Sequence, residues 1–281
     1  MPVNDELGIR MKTCYEQIPK TKLMRRTPVA IRIDGKAFHT FTKGFQRPFD
    51  EVLIKSMQAT MKYLCENIQG CVLGYHQSDE ITLILVDYKN LNSDAWFDYE
   101  VQKMCSIAAS MATMAFNKFF YKNVENWGYN NIPDWSCGGT NEPVDEKLWK
   151  QANIYLKACE KGAMFDARVF NIPKEEVMNL LYWRQLDATR NSIQMVGQAN
   201  FSHNQLHGKN CNNIQDMLML EKGINWNDYP THLKRGSCCI KKPFKINEGT
   251  EQETIRNKWV IDTEIPIFTQ DKDYINKLIF I

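Results

Sequence analysis

The sequence predicts an α+β protein with a split βαβ core, in which a strand, a helix, a hairpin, a helix and a third strand follow one another. Short apolar runs of strand length occupy residues 28–34, 71–75, 81–86 and 165–172. Long segments with apolar residues at spacings of three and four separate these runs and predict helices. The polar "HQSDE" between the second and third runs predicts a hairpin turn.

The first strand ends in polar residues. Val29, Ile31 and Ile33 fall on one side of the strand by the two-residue alternation, and Asp34 falls on the other. A helix is predicted after Pro48 and ends near Gly70. Its apolar stripe consists of Leu53, Met57, Met61, Leu64 and Ile68.

A second long helix is predicted over residues 98–121, with small residues that favour close packing on a sheet. The next stretch, 122–160, is rich in Asn, Trp and Gly and is predicted to be a surface insertion with a short helix at 145–159. The third strand, 165–172, precedes Pro173, which suits the first turn of a helix that runs to about residue 197.

This order of strands and helices is a ferredoxin-like arrangement, the layout of polymerase palms and nucleotidyl cyclases. Residues 1–200 are predicted to form this palm-like domain. Residues 201–281 are predicted to add a helix at 213–222, ended by Gly223, and a hairpin from "SCCIKK" and "NKWVID". We expect this C-terminal region to pack on the same domain.

Composition indicates an ordinary globular protein. Of its 281 residues, 43% are hydrophobic and 24% charged, and the net charge of +2 leaves any nucleic-acid surface to local clustering. Nine cysteines with no CxxC pair indicate free thiols rather than a zinc ribbon. We expect a cytoplasmic location, because no secretory leader or membrane-spanning run is evident. His203 and His207 have a ligand-like spacing but no evident third ligand.

The candidate active site consists of acidic residues at two strand ends. Asp34 ends the first strand, and Asp79 and Glu80 occupy the hairpin turn beside it. Paired carboxylates repel one another unless a cation lies between them, and divalent metals such as Mg²⁺ prefer oxygen ligands. Gly35 allows close approach to the backbone. The alternative is a plain "DG" turn and a solvated hairpin tip.

Two motifs extend this hypothesis to a family. "RIDGKAFHTFTKGFQRPFD" and "GYHQSDEITLIL" resemble the paired motifs "RxDGRxFHxF…KPxD" and "QSDE" of the histidine tRNA guanylyltransferases, the 3′–5′ polymerases. "FDARVFNIP" is similar to the family's "FDGRVxxxP", and "YWRQLDATRNS" to its "WRQxDxxxN". The resemblance covers roughly residues 20–240 outside the predicted insertion.

The resemblance implies a palm-like fold and a site for two Mg²⁺ ions. The implied metal ligands are Asp34, Asp79 and the Gly35 carbonyl, with Glu80 as a supporting catalytic residue. The implied nucleotide contacts are Gly35, Lys36, Ala37, Phe38, His39, Arg47, Asp50 and Ser78. Family members activate the 5′-monophosphate of a tRNA with ATP or GTP. The 3′-OH of a nucleoside triphosphate then attacks that end, which is phosphoryl transfer.

Departures from the family pattern bear on the substrate. Lys36 and Ala167 replace arginine and glycine, and Arg47 takes the place of a lysine. Residues 188–195, "ATRNSIQM", replace the block "CHINNLYN", of which only Asn191 survives. That block is linked to adding guanosine to histidine tRNA. The sequence therefore favours the guanylyltransferase-like branch, which repairs truncated tRNA 5′ ends against a template strand.

RNA contacts are predicted at four positions: Arg184, Asn191, Lys234 and Arg235. Ordinary solvated charges are the alternative for the basic residues. The family is generally tetrameric, so a homotetramer is expected. Three other functions stay open at this point: addition of the extra G to histidine tRNA, a non-catalytic nucleotide- or RNA-binding palm domain, and a nucleotidyl cyclase.

Overall fold

The computed structural model describes residues 5–133, 135, 145–246 and 254–281. The strands are β1 (Val29–Gly35), β2 (Cys71–Gln77), β3 (Glu80–Leu85), β4 (Phe165–Asn171), β5 (Ser237–Ile246) and β6 (Thr254–Asp262). The α-helices are α1 (Glu6–Met11), α2 (Phe38–Phe41), α3 (Glu51–Asn67), α4 (Val101–Asn131), α5 (Glu146–Lys161), α6 (Lys174–Asn200), α7 (His203–Leu206), α8 (Cys211–Lys222), α9 (Thr231–Arg235) and α10 (Asp273–Ile279).

The strands form one six-stranded sheet in the order β4-β1-β3-β2-β5-β6. Each neighbouring pair is antiparallel. The register places Asp34 opposite Glu80 on β3 and opposite Asp166 on β4. Directly opposite residues share a face of the sheet, so these three carboxylates lie on the same side.

Helices cover both faces of the sheet. One core contains Ile31, Ile33 and Leu83 of the strands, packed with residues of α3 and α4 such as Met57 and Phe116. The other core, which includes Val177 and Leu181 of α6, lies on the face that carries Asp34. The candidate carboxylates thus extend from a sheet whose opposite face is buried by α3 and α4. This arrangement confirms the predicted α+β fold class.

The predicted insertion is shorter than the sequence indicates. Residues 122–131 continue α4, and Val124 is only 1% exposed, within the main core. Helix α5 also contributes to that core, through the fully buried Tyr155. Asn and Gly residues suggested a break at 122, but the buried stripe of α4 runs on past them and packing outweighs their low helix propensity. Residues 136–144 of the predicted insertion lie outside the described residues.

The C-terminal region joins the same sheet. Strand β5 pairs with β2 from Gly74 to His76, and the predicted hairpin is the β5–β6 pair. Cys238 and Cys239 are fully buried. The eight cysteines of the described part are free thiols. In that same part of the chain, no helix has the length and apolar character needed to cross a membrane.

Candidate active site

The two candidate metal-ligating carboxylates lie at adjacent strand ends. Asp34 is the penultimate residue of β1, and Asp79 lies in the turn between β2 and β3. The backbone joins the two positions directly, because the Gly35 N–H donates to the Asp79 carbonyl over 3.2 Å. The sheet therefore brings together the strand end and the hairpin turn, as the sequence predicts.

A cleft of about 510 Å³ opens over these residues. Nine of the predicted site residues line it: Asp34, Gly35, Ala37, Phe38, His39, Arg47, Asp50, Ser78 and Asp79. Lys36 and Glu80 are not part of this lining. Lys36 is exposed, and its backbone N–H donates to the Met164 carbonyl over 2.8 Å. The cleft has the size of a small-molecule site.

Gly35 is required by an aromatic neighbour. A Cβ atom at this position would lie 2.2 Å from Cδ2 of Phe38. The Phe38 ring is 5% exposed and packs against Phe41, Phe116 and Phe165. The Phe38 side chain therefore belongs to the core, although the residue also lines the cleft, and its contact with a nucleotide stays a prediction. The close approach predicted at Gly35 is made by this ring.

Asp50 orders the loop on the other side of the cleft. Its Oδ1 caps α3 by accepting from the Leu53 N–H, 2.9 Å away. Its Oδ2 accepts from the Gln46 N–H over 2.9 Å and from the Tyr155 hydroxyl over 2.7 Å. Both oxygens are thus engaged by the protein, and the residue is 5% exposed. These bonds position residues 46–50, and Asp50 also lines the cleft, where its nucleotide contact stays a prediction.

Glu80 is held between two arginines. Its Oε2 accepts from Nη2 of Arg32 at 2.7 Å and from Nη2 of Arg184 at 2.9 Å. Its Oε1 lies 2.7 Å from Nε of Arg184 in an ion pair without hydrogen-bond alignment. Burial raises the pKa of Glu80, and Arg184 and Arg32 oppose that rise. Its carboxylate anchors β3 to α6 beside Asp79, and its supporting catalytic role stays a prediction.

The predicted RNA-contacting residues do not share one environment. Arg184 is 4% exposed and also bonds Asp187 at 2.8 Å, so it presents no surface for RNA. The sequence predicted RNA contact because Arg184 is a charged residue on a long helix. Its partner Glu80 is 104 residues away in the chain, so the sequence did not reveal that the charge is paired. Asn191, Lys234 and Arg235 are half-buried. Lys234 Nζ donates to the Asn227 carbonyl at 2.5 Å, which ties α9 to the preceding loop.

The site has the donor chemistry of a hard divalent cation. Burial raises the pKa of Asp79, and the nearby Asp34 carboxylate raises it further. A cation between the two acids would relieve both effects. Among the described residues, no group of three His, Cys, Asp or Glu side chains is arranged to hold a metal. Two carboxylates, a backbone carbonyl and oxygens of water or phosphate match Mg²⁺, which retains such ligands.

His76 is buried beneath the β2–β3 turn and bonds it. It is 4% exposed, and its Nε2 lies 2.9 Å from the Ser78 carbonyl. Its Nδ1 lies 3.4 Å from the Ser237 hydroxyl on β5. Burial lowers the pKa of His76 to about 4, so the neutral ring bonds the turn at neutral pH. The neutral ring therefore links the turn to the C-terminal strand pair.

Sequence reasoning missed several residues of the site. Thr42, Gln46, Met195 and Gln198 also line the cleft. Met195 and Gln198 come from the end of α6, more than 150 residues from Asp34 in sequence. No local pattern marks such residues, because the tertiary packing of α6 brings them to the cleft. The one indication in the sequence that α6 contributes to the site is the substituted block 188–195, which contains Met195.

A family comparison identifies this arrangement. The profile of the family "Thg1: tRNAHis guanylyltransferase" matches residues 9–173, more than half of the chain. The chain belongs to the tRNAHis guanylyltransferase family. The motifs around Asp34 and Asp79 lie within the matched range, which confirms the resemblance found in the sequence. The enzyme class follows from the family: a nucleotidyltransferase.

Relatives of this family match along most of the chain. The tRNA(His) guanylyltransferase of Schizosaccharomyces pombe is 27% identical over 243 residues, covering 82% of this chain and 78% of that protein. An uncharacterised protein of Acanthamoeba polyphaga mimivirus, R259, is also 27% identical, over 92% of this chain and 85% of its own length.

Solved guanylyltransferase-family structures share the fold. A bacterial Thg1-like protein in complex with ATP has a TM-score of 0.75 and 39% identity, covering 99% of this chain and all of that one. A bacterial Thg1-like protein in complex with GTP matches at the same TM-score with 36% identity and the same coverage. The tRNA(His) guanylyltransferase of Saccharomyces cerevisiae, at 22% identity and a TM-score of 0.59, supports the palm-like fold alone.

Proposed function

We propose that this enzyme adds nucleotides to the 5′ end of tRNA, in the 3′–5′ direction, by two-metal phosphoryl transfer. ATP or GTP would first activate the 5′-monophosphate, and the 3′-OH of an incoming nucleoside triphosphate would then attack that end. We favour template-dependent repair of truncated tRNA as the biological reaction. The alternatives are addition of the extra G to histidine tRNA and a non-catalytic binding function.

One observation carries the proposal. A single cleft contains both acidic strand ends and most of the residues predicted to contact nucleotide. Bacterial Thg1-like proteins with 39% and 36% identity have been solved with ATP and with GTP. A non-catalytic binding protein would not require the two carboxylates of Asp34 and Asp79 in the same cleft. This favours catalysis over the non-catalytic alternative.

The predicted site residues have different roles in this proposal. Asp34, Asp79 and the Gly35 carbonyl would hold the two Mg²⁺ ions. When bound, such ions stabilise both the attacking and leaving oxygens of an in-line displacement. Arg47 and His39 are exposed at the cleft, where they would bind phosphate oxygens. Glu80 and Asp50 position the turn and the 46–50 loop through their protein contacts.

The substituted block on α6 supports the repair reaction. Ser192 donates to the Lys234 carbonyl at 3.2 Å and accepts from the Trp226 indole N–H at 3.1 Å. Ile193 packs in the core between α6 and α8. Ser192 and Ile193, two of the eight residues of the "ATRNSIQM" block, are thus committed to contacts within the protein. Watson–Crick pairing to the template strand would then supply the sequence information that the protein does not read.

The catalytic assignment is tested with Asp34→Asn. The substitution removes a metal-binding charge with little change in size, so nucleotide addition should fall by about 1,000-fold or more. Asp166→Asn is the matched control, since Asp166 is paired with Asp34 across β1 and β4 but does not line the cleft. Incorporation of labelled nucleotide into 5′-monophosphorylated tRNA measures both. Full activity of Asp34→Asn would refute the assignment.

The substrate is tested with two tRNAs, ATP, Mg²⁺ and all four nucleoside triphosphates. One is an intact histidine tRNA, and the other is any tRNA that lacks its first 5′ nucleotide. Extension of the truncated tRNA by only the complementary base supports repair. Addition of G to the intact histidine tRNA opposite a non-pairing base would support guanylyltransferase activity instead.

A further inference from the structure

A second cavity of about 490 Å³ opens beside the candidate active site. We name it the α6–α8 groove, after the helices that flank it. It shares two residues, Arg47 and Gln198, with the cleft that contains Asp34 and Asp79. The two spaces are almost equal in volume, at about 490 and 510 Å³. The two spaces therefore adjoin at Arg47 and Gln198.

The lining of the α6–α8 groove suits phosphate and ribose. It contains two exposed cations, Arg47 and Lys209, and two exposed imidazoles, His203 and His207. Gln194 and Gln198 of α6 add amide donors and acceptors. Of the described residues that line it, none is acidic, and neither cation has an acidic partner within the described chain. Uncompensated cations in a concave site attract anions.

A rigid base supports this groove. Ile193 and Val196 of α6 pack with Ile214 and Leu218 of α8 in a small separate core. Gly197 allows the close contact between the helices, because a Cβ there would lie 2.7 Å from Ile214. The polar side chains of the groove thus stand on a packed apolar floor that holds their spacing.

We infer that the α6–α8 groove binds the sugar–phosphate backbone of the RNA strand whose 5′ end is extended. This inference rests on the proposed function, because that reaction requires an RNA end and a triphosphate to meet at one site. The active-site cleft has room for the incoming nucleotide, so the RNA strand needs a second, adjoining space. The groove supplies that space, with phosphate ligands and with amides that bond ribose or base edges without fixed sequence preference.

RNA affinity tests this assignment without turnover. We would measure binding of fluorescent 5′-monophosphorylated tRNA to Lys209→Gln and to the combined His203→Gln, His207→Gln variant over a series of salt concentrations. Loss of Lys209 should weaken binding about 3- to 10-fold and reduce the slope of log K against log[salt] by about 0.7 to 0.9, the value for one phosphate contact. Lys209→Arg should restore both. Lys62→Gln, an exposed α3 lysine outside the groove, should change neither.

The KM for nucleoside triphosphate distinguishes an RNA site from a second nucleotide site in the groove. If the groove binds RNA, the KM for nucleoside triphosphate stays within about twofold in both groove variants. A raised triphosphate KM with unchanged RNA affinity would overturn the inference and make the groove a second nucleotide site. Unchanged RNA affinity and salt slope in all variants would overturn it as well.

The two proposals fail in distinguishable ways. If the unaltered enzyme extends no tRNA, yet the Lys209→Gln variant loses RNA affinity and salt dependence, the groove binds an RNA backbone but the proposed reaction fails. If the enzyme extends tRNA and the groove variants bind it normally, the reaction stands and the groove assignment fails.

Discussion

Three polar residues around the β2–β3 turn have different roles because their surroundings differ. Asp79 is partly exposed toward the cleft, and Glu80, one residue later, is enclosed by Arg32 and Arg184. His76 is buried beneath the turn and bonds the Ser78 carbonyl. The same short segment therefore combines a candidate metal ligand, a strand anchor and a neutral imidazole support.

The buried His76 makes stability depend on pH. Its pKa is lowered from 6.5 to about 4, so below pH 6.5 the unfolded chain takes up a proton that the folded protein excludes. Stability from this group is complete above pH 6.5 and is lost as the pH falls toward 4. We expect a loss of about 2 kcal/mol between pH 7 and pH 5.

Urea unfolding of the unaltered protein and of His76→Gln, at pH 7 and pH 5, measures that contribution. The variant should lose about 2 kcal/mol less over this interval, because glutamine does not titrate. The comparison also removes the effects of Asp79 and Glu80, whose raised pKa values act in the opposite direction in both proteins. Equal losses in the two proteins would contradict the prediction.

Helix α6 connects several parts of the molecule. Arg184 joins it to β3 through Glu80. Gln185 bonds the C-terminal segment, donating to the Pro266 carbonyl at 2.8 Å and accepting from the Phe268 N–H at 3.1 Å. The end of α6 then supplies Gln198 to the active-site cleft and the groove. Arg184 and Gln185 of the "WRQLD" motif thus hold α6 to β3 and to the C-terminal segment.

Removal of the Arg184 guanidinium should destabilise the protein strongly. Arg184→Met leaves the buried Glu80 carboxylate with Arg32 as its ion-pair partner among the described residues, which should reduce the free energy of unfolding by about 3 kcal/mol. Arg190→Met is the matched control on the same helix, since Arg190 is 60% exposed in its pair with Asp187. Its effect should stay below about 1 kcal/mol. Chemical denaturation measures both, and similar losses would show that burial of the pair is unimportant.

The whole molecule is organised by one sheet that crosses the predicted boundary at residue 200. Strand β5 pairs with β2, and the Tyr75 hydroxyl donates to the Arg235 carbonyl at 2.7 Å. The Gln58 side chain also donates to the Ser237 hydroxyl at 3.2 Å. The homotetramer, the cytoplasmic location and the division at residue 200 remain predictions from the sequence and its resemblance.

We expect the two predicted regions to unfold together. A fragment of residues 1–200 would expose the edge of β2 and the apolar surface that Cys238 and Ile240 cover, so it should not fold by itself. The full chain should unfold in a single transition when ellipticity and tryptophan fluorescence are followed together. A folded fragment, or two separate transitions, would show that the C-terminal region is an independent unit.

The elements were predictable wherever local chemistry determines them. Helix α3 begins at its Asp50 cap, α8 ends at the left-handed Gly223, and the β2–β3 hairpin turns at polar residues, as the sequence indicates. The length of α4 was not predictable, because Val124 is helical through burial against the core rather than through local propensity. The same holds for Arg184, whose charge alone suggested a solvated or RNA-bound side chain.

By itself the sequence determined the fold class, the family and the strand-end acids, because each is carried by contiguous residues with a characteristic alternation or motif. The tertiary structure alone decided that Phe38 fills the space at Gly35 and that Asp50 and Glu80 are engaged by protein partners. It also decided that Arg47, His203, His207 and Lys209 line one groove beside the cleft. These features depend on contacts between residues distant in the chain. Local pattern does not encode which partner a buried charge will meet.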